Sequence, residues 1–241
     1  MSEPLLTAAH ISRRFCVLHA VSDFDFEVRP GEVLGLIGPN GAGKSTTFNV
    51  ISGYYKPSSG RITFLGQDVT GLSTVAMSRR GLVRTFQHGS LLKAMSVRYN
   101  ILMGTLRSLR DRHARETRIA ETAEMLGLTD MLDLAASSLP HGHQRMLSIA
   151  IAFAARPKLL CLDEPLAGLN HTEMGAALTA MRRIRDEFGT TILLVDHNMR
   201  AVMQICERIV VLNYGRKLAE GTPAEIRNNP DVIRAYLGDD A

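Results

Sequence analysis

The apolar run Val33-Leu34-Gly35-Leu36-Ile37 stops at Gly38-Pro39-Asn40-Gly41-Ala42-Gly43-Lys44-Ser45-Thr46, a junction that allows few folds. Five consecutive apolar residues read as a strand buried on both faces. The glycines at 38, 41 and 43 let the main chain curl so that successive N–H groups point inward. A helix opening at Lys44 adds the positive end of its dipole. Strand, glycine-rich loop and helix in that order make a cradle for phosphates. Lys44 is then placed to reach the outer phosphates of a nucleoside triphosphate, and the Ser45 hydroxyl to ligate Mg²⁺.

Three further runs, Leu159–Leu162, Ile192–Val195 and Ile209–Leu212, are continuously apolar in the same way and predict the other strands of a parallel sheet covered on both faces. The segment before the phosphate loop alternates instead. Phe24, Phe26 and Val28 fall on one face and Asp23, Asp25 and Glu27 on the other, up to Pro30-Gly31, which predicts a half-exposed antiparallel strand. A second such strand is expected over Ile62–Leu65, after the turn Pro57-Ser58-Ser59-Gly60. From Gln87 to Leu139 the pattern becomes helical and charged, with an amphipathic stretch at Ile119–Leu126 before Gly127. The tail predicts a helix start at Thr222-Pro223, a turn at Asn228-Asn229-Pro230 and a last helix. The architecture expected is α/β, with an antiparallel appendage and an inserted helical subdomain.

With 241 residues, 45% of them hydrophobic, the chain can bury one large core, or a core plus a subdomain. Its net charge of +4 suits an anionic ligand, but no lysine/arginine block of the kind that binds nucleic acid interrupts the sequence. Cys16, Cys161 and Cys206 are odd in number and widely spaced, which argues against a disulfide framework or a zinc site. No secretory leader is read at Met1-Ser2-Glu3-Pro4. The apolar stretch from Leu147 to Ala155, between Arg145 and Arg156, is well short of the roughly 18 residues of a membrane span.

Leu162-Asp163-Glu164-Pro165 puts two adjacent carboxylates at the C-terminal end of a buried strand, where ligands of open parallel sheets bind. Asp163 is suited to hold Mg²⁺, and Glu164 to accept the proton of a water attacking the γ-phosphate.

Four more segments join these motifs: Arg84-Thr85-Phe86-Gln87, Leu139-Pro140-His141-Gly142-His143-Gln144-Arg145, Ala167-Gly168-Leu169-Asn170 and Val195-Asp196-His197. With them the chain, from Leu5 to Leu237, resembles the nucleotide-binding subunits of ABC transporters. It is most similar to the ATPases of branched-chain amino acid importers, as the ending Val232-Ile233-Arg234-Ala235-Tyr236-Leu237-Gly238 also indicates. The resemblance implies a P-loop NTPase fold of the RecA-like kind. It divides the single domain, 1–241, into an α/β core with its antiparallel β subdomain at 1–87 and 155–241 and a helical signature subdomain at 88–154.

The resemblance also implies site roles. ATP and Mg²⁺ are the expected cofactors, with Phe15 stacking on adenine and Gly38 to Thr46 around the phosphates. Gln87 senses Mg²⁺ and the γ-phosphate at the hinge to the helical subdomain; Ser45, Gln87 and Asp163 form the metal set. Glu164, His197, Gln87 and Lys44 are the catalytic set, His197 contacting the γ-phosphate and orienting the water. Pro140, His141, Gly142 and His143 meet the ATP of an opposing subunit. The partners implied are a second ABC ATPase subunit, the same or different, transmembrane permease subunits and, indirectly, a periplasmic or extracellular solute-binding protein. No nucleic acid is implied. The place implied is peripheral, on the cytoplasmic face of a bacterial inner membrane.

The chain departs from the family pattern at four points. Pro140 stands where a serine usually reaches the opposing γ-phosphate, which removes one charge-assisted hydrogen bond of about 1.5–3 kcal/mol; proline is tolerated in the first turn of a helix. His143 replaces a glutamine and keeps a polar donor at that place. Asn170 replaces the usual aspartate, and Tyr99 stands where many relatives have glutamate, which makes an unusual groove for the permease expected. The alternatives are a lipopolysaccharide-exporter ATPase, a soluble ABC ATPase of iron–sulfur assembly, and a regulator that does not turn over. Glu164 and His197 speak against the last.

Overall fold

The computed structural model describes residues 3–85 and 91–237. The chain opens with strands β1 (Leu6–Phe15), β2 (Leu18–Val28) and β3 (Val33–Ile37), then helix α1 (Lys44–Ile51). Next come β4 (Ser59–Phe64), β5 (Gln67–Asp68), α2 (Thr74–Arg80) and β6 (Leu82–Arg84). Helices α3 (Val97–Thr105), α4 (Arg112–Met125) and α5 (His141–Ala154) follow one another before β7 (Leu159–Asp163). The remainder alternates: α6 (His171–Phe188), β8 (Thr191–Val195), α7 (Met199–Ile205), β9 (Arg208–Asn213), β10 (Arg216–Gly221), α8 (Pro223–Arg227) and α9 (Pro230–Leu237).

Two sheets result, ordered β2-β1-β4-β5 and β10-β9-β3-β8-β7-β6. The first is antiparallel. The second is parallel except for its β9–β10 edge, so the α/β architecture with its antiparallel appendage is as expected.

The apolar runs are explained by two cores that meet at the parallel sheet. Val33 and Ile37, Leu160 and Leu162, Ile192 and Leu194, and Ile209 and Val211 pack with the inner faces of α5, α6 and α7. Their neighbours Leu34 and Leu36, Leu159 and Cys161, Leu193 and Val195, and Val210 and Leu212 pack with Phe48 and Ile51 of α1 and with the antiparallel sheet. Every position is thus taken out of water on one side or the other, which leaves no polar phase in the pattern.

The alternating segment of β2 also behaves as expected, with Phe24, Phe26 and Val28 buried. The strand expected at Ile62–Leu65 is shifted: β4 begins at Ser59, and Leu65 leaves it in a left-handed turn (φ 54°). In the tail, Thr222 caps α8 in a full capping box with Glu225, and α9 starts at Pro230. No described helix is long and apolar enough to cross a membrane, and all three cysteines are free thiols.

Candidate active site

In the parallel sheet β8 lies between β3 and β7, so the loops leaving the C-terminal ends of these three strands open side by side. Those loops carry the phosphate-loop residues, Asp163-Glu164 and Asp196-His197. Segments more than a hundred residues apart in the chain meet because parallel neighbours share an end.

The loop after β3 has the curl its glycines predict. Gly43 is the N-cap of α1 in the left-handed region (φ 104°), and a β-carbon there would collide with the Ala20 carbonyl. Lys44 turns back over the loop, its Nζ donating to the carbonyls of Gly38 at 2.6 Å and Pro39 at 2.9 Å. Partial burial lowers its pKa, against the opposing pull of Glu164 and Asp163. Ser45 is exposed beside it. A cleft of about 410 Å³ opens here, lined by residues 40–46, Glu164, Tyr214-Gly215 and the hairpin residues Leu18, His19 and Ala20.

Phe15 does not line this cleft. It ends β1 with the Arg13 guanidinium 4.5 Å from its ring centre and Tyr55 edge-on at 5.2 Å. A second hollow of about 420 Å³ lies against the outer side of Pro39–Ala42, closed by Asp231, Arg234 and Ala235 of α9.

Asp163 ends β7 at 4% exposure. Its backbone N–H donates to Thr85 Oγ1 at 3.2 Å, yet its Oδ1 has no hydrogen-bond partner among the described residues. Burial pushes its pKa up to about 6, with Arg84 and Lys44 opposing and Glu164 and Asp196 adding to the rise. Arg84 is itself fixed by Asn49 Oδ1 at 2.6 Å, Ser52 Oγ at 3.0 Å and the Phe48 ring 4.7 Å away. An orphaned oxygen on a buried acid is a strong demand for a cation or a proton.

Glu164 adopts a left-handed backbone (φ 48°), uncommon outside glycine and frequent where function over-determines the geometry. Its N–H donates to the Val195 carbonyl at 2.7 Å, which ties the turn to the neighbouring strand and sends the side chain into the cleft. His197 Nδ1 stands 3.8 Å from Glu164 Oε1. The cap of α7 is Asn198, not His197, which leaves the imidazole exposed.

Asp196 and Arg84, which lie inside the motifs, hold the shape of the site. Asp196 is 1% exposed and accepts the N–H of Leu166 at 3.1 Å and of Asn198 at 2.8 Å. It thereby ties the loop after Glu164 to the loop containing His197.

The signature residues stand apart from the cleft and line no part of it. Pro140 is the N-cap of α5, one place before the first turn, and its carbonyl accepts from Gln144 N at 3.0 Å. His141 is exposed, Gly142 buried and His143 half-buried. Asn170 caps α6 in a capping box with Glu173. Tyr99 sits in the first turn of α3, its N–H bonded to Ser96 Oγ at 3.2 Å and its side chain 40% exposed. Gln87 lies outside the described residues.

A model of the ABC transporter family matches residues 21–167, and one of the branched-chain amino acid ATP-binding cassette transporter matches residues 216–241. The chain is 44% identical over 254 residues to LivG of Salmonella typhimurium, a high-affinity branched-chain amino acid transport ATP-binding protein, covering 99% of this chain and 100% of the relative. It is 40% identical to BraF of Pseudomonas aeruginosa, described in the same terms, over 99% of this chain and 100% of that one. The crystal structure of the ADP conformation of MJ1267, an ATP-binding cassette of an ABC transporter, superposes with a TM-score of 0.88 at 27% identity, covering 99% of this chain and 100% of that one.

Proposed function

Because the chain belongs to the ABC transporter ATP-binding family, we propose that it is the ATP-hydrolysing subunit of an importer of branched-chain amino acids or related small solutes. One observation carries the reading: the phosphate loop and Glu164 line a single cleft, and His197 stands 3.8 Å from that acid.

In this reading the triphosphate enters the cleft with its phosphates on the inward N–H groups of the glycine-rich loop and the first turn of α1, and Lys44 exchanges the Gly38 and Pro39 carbonyls for phosphate oxygens. The hairpin receives the adenine, with Leu18 and His19 in the wall, while Phe15 stays packed against Arg13 and Tyr55. The unpartnered Asp163 oxygen, the exposed Ser45 hydroxyl and, from the hinge, Gln87 are a donor set suited to Mg²⁺, a hard cation that takes oxygen ligands. When bound there, Mg²⁺ neutralises charge on the outer phosphates.

Glu164 accepts the proton of the attacking water, and His197 holds Glu164 and the γ-phosphate in register. Pro140, His141, Gly142 and His143, which line no part of their own cleft, complete the site of a second ATPase subunit, so that two chains close around two ATP molecules. ATP that bridges both chains stabilises the closed pair, and loss of the γ-phosphate releases it.

The permease is assigned to the groove bounded by Ser78, Arg84, Met103, Arg107 and Ile151, between α2 and β6 on one wall and α3 and α5 on the other. Leu92, Met95 and Tyr99, which precede Met103 along the chain, are each at least 40% exposed. The chain then works as a peripheral subunit at the cytoplasmic face of a bacterial membrane, and the solute is selected by the permease and its binding protein.

The test is turnover of the purified chain and its Glu164→Gln variant. Loss of a general base costs about 10²- to 10⁴-fold in rate, and the variant should accumulate as an ATP-dependent dimer. Unaltered turnover in the variant removes Glu164 from its role. Capture of the native membrane complex tests the permease and the solute together.

A further inference from the structure

Among the described residues helix α5 has no side-chain cap, and it has no acid in its first turn, although its first N–H groups carry the positive end of the helix dipole. The negative charge at this turn comes from another helix. A β-carbon at Gly142 would collide with the Glu173 carboxylate, so the second residue of α5 is a glycine with an acid lying directly against it.

That acid is held from its own side. Glu173 Oε2 accepts the Asn170 N–H at 2.9 Å, while Asn170 Oδ1 accepts the Glu173 N–H at 3.0 Å. A second contact runs in parallel, since a β-carbon at Gly168 would lie 3.1 Å from His141 Cε1. The loop that leaves the catalytic acid and the first turn of α6 therefore each touch the signature turn within one chain.

We infer that the Glu173 carboxylate is an electrostatic counterweight at the signature turn, occupying by charge the place that the opposing subunit's γ-phosphate must share when two chains close on ATP. The inference rests on the two-chain reading above. In the lone chain the carboxylate lies against the first turn of α5, where its charge offsets the positive end of the helix dipole. An arriving phosphate brings a second anion to the same turn, so the carboxylate sets how much ATP closure requires. Glu173 is a positioning residue and touches no reacting atom.

The test removes the charge and keeps the shape. Closure is followed by light scattering across an ATP titration in the Glu164→Gln chain, then in the same chain carrying Glu173→Gln, whose amide oxygen can still accept the Asn170 N–H. A charge beside the first turn of a helix corresponds to about a two- to fivefold effect, so the double variant should close at about two- to fivefold less ATP. The Glu173→Gln chain without nucleotide should melt at a lower temperature, because α5 has lost its counter-charge. Glu173→Ala in the same background should also lower the ATP requirement, whereas a merely structural role would raise it.

An unchanged or raised requirement in both neutral variants, with the Glu164→Gln chain still dimerising, overturns the counterweight and leaves the two-chain reading standing. Failure of the Glu164→Gln chain itself to dimerise overturns both.

Discussion

Replacing Asp196 by asparagine should loosen two loops at once. The carboxylate is 1% exposed and accepts the N–H of Leu166 at 3.1 Å and of Asn198 at 2.8 Å. Asparagine offers a single acceptor oxygen, so one bond survives and the other N–H is left facing an NH₂ donor. A hydrogen bond to a charged acceptor is worth about 1.5–3 kcal/mol, and a stranded donor adds to the loss. The expected destabilisation is therefore about 2–4 kcal/mol.

With a urea slope of about 3 kcal/mol/M, this is a fall of roughly 1 M in the unfolding midpoint. Turnover should fall further than stability accounts for, because Leu166 follows Glu164 by two residues and Asn198 adjoins His197. Misplacing catalytic groups by about 1 Å costs on the order of 10²-fold. Urea titration with kcat measured in native buffer reads both effects. An Asp196→Asn chain with its midpoint and turnover unchanged would refute the claim that this carboxylate ties the loops together.

Lys44→Met should weaken nucleotide binding by about 10- to 100-fold, the value of one charge-assisted contact, as read by calorimetric titration; equal affinity would take Lys44 out of the phosphate cradle. In metal-free buffer without nucleotide, Asp163 should contribute a loss of stability as pH rises from about 4 to about 6. Its folded pKa is raised to about 6, so the folded state binds the proton more tightly than the unfolded state across that window. Asp163→Asn should flatten that limb of the denaturation profile, and an unaltered limb would assign it elsewhere. Thr222→Ala removes the capping box of α8 and should cost about 1 kcal/mol, measured by thermal melting, with kcat unaffected.

The legible parts of the fold were those with a single physical cause. Four strands could be read from apolar runs because both of their faces are buried, and the phosphate loop because its glycines meet a steric demand. Strand β6 was missed because Leu82-Val83-Arg84 is three residues long and ends in a charge that turns toward Asn49 and Ser52. Strand β10, Arg216–Gly221, lies at a sheet edge with no fully buried residue, so nothing imposes an apolar pattern on it. Strand β1 hides its alternation behind register shifts around His10, itself left-handed (φ 52°).

In the site, motif spacing proposes Lys44, Asp163, Glu164 and His197, and these four residues stand together at the C-terminal ends of β3, β7 and β8. Pro140 was expected within the first turn of α5 and stands just before it. Asp196 joins two loops distant in the chain and Glu173 packs on Gly142 of another helix, contacts that no local pattern reports. The only local hint for Glu173 was Asn170 three residues before it, the spacing of a capping box.

Strand β3 is gripped along both edges, with four aligned positions against β8 and four against β9. A pull transmitted through Lys44 is consequently spread over a stiff girder rather than absorbed where it arrives. Its neighbour β8 leads directly into Asp196 and His197, so the phosphate loop and the imidazole are anchored on adjoining strands of one stiff sheet.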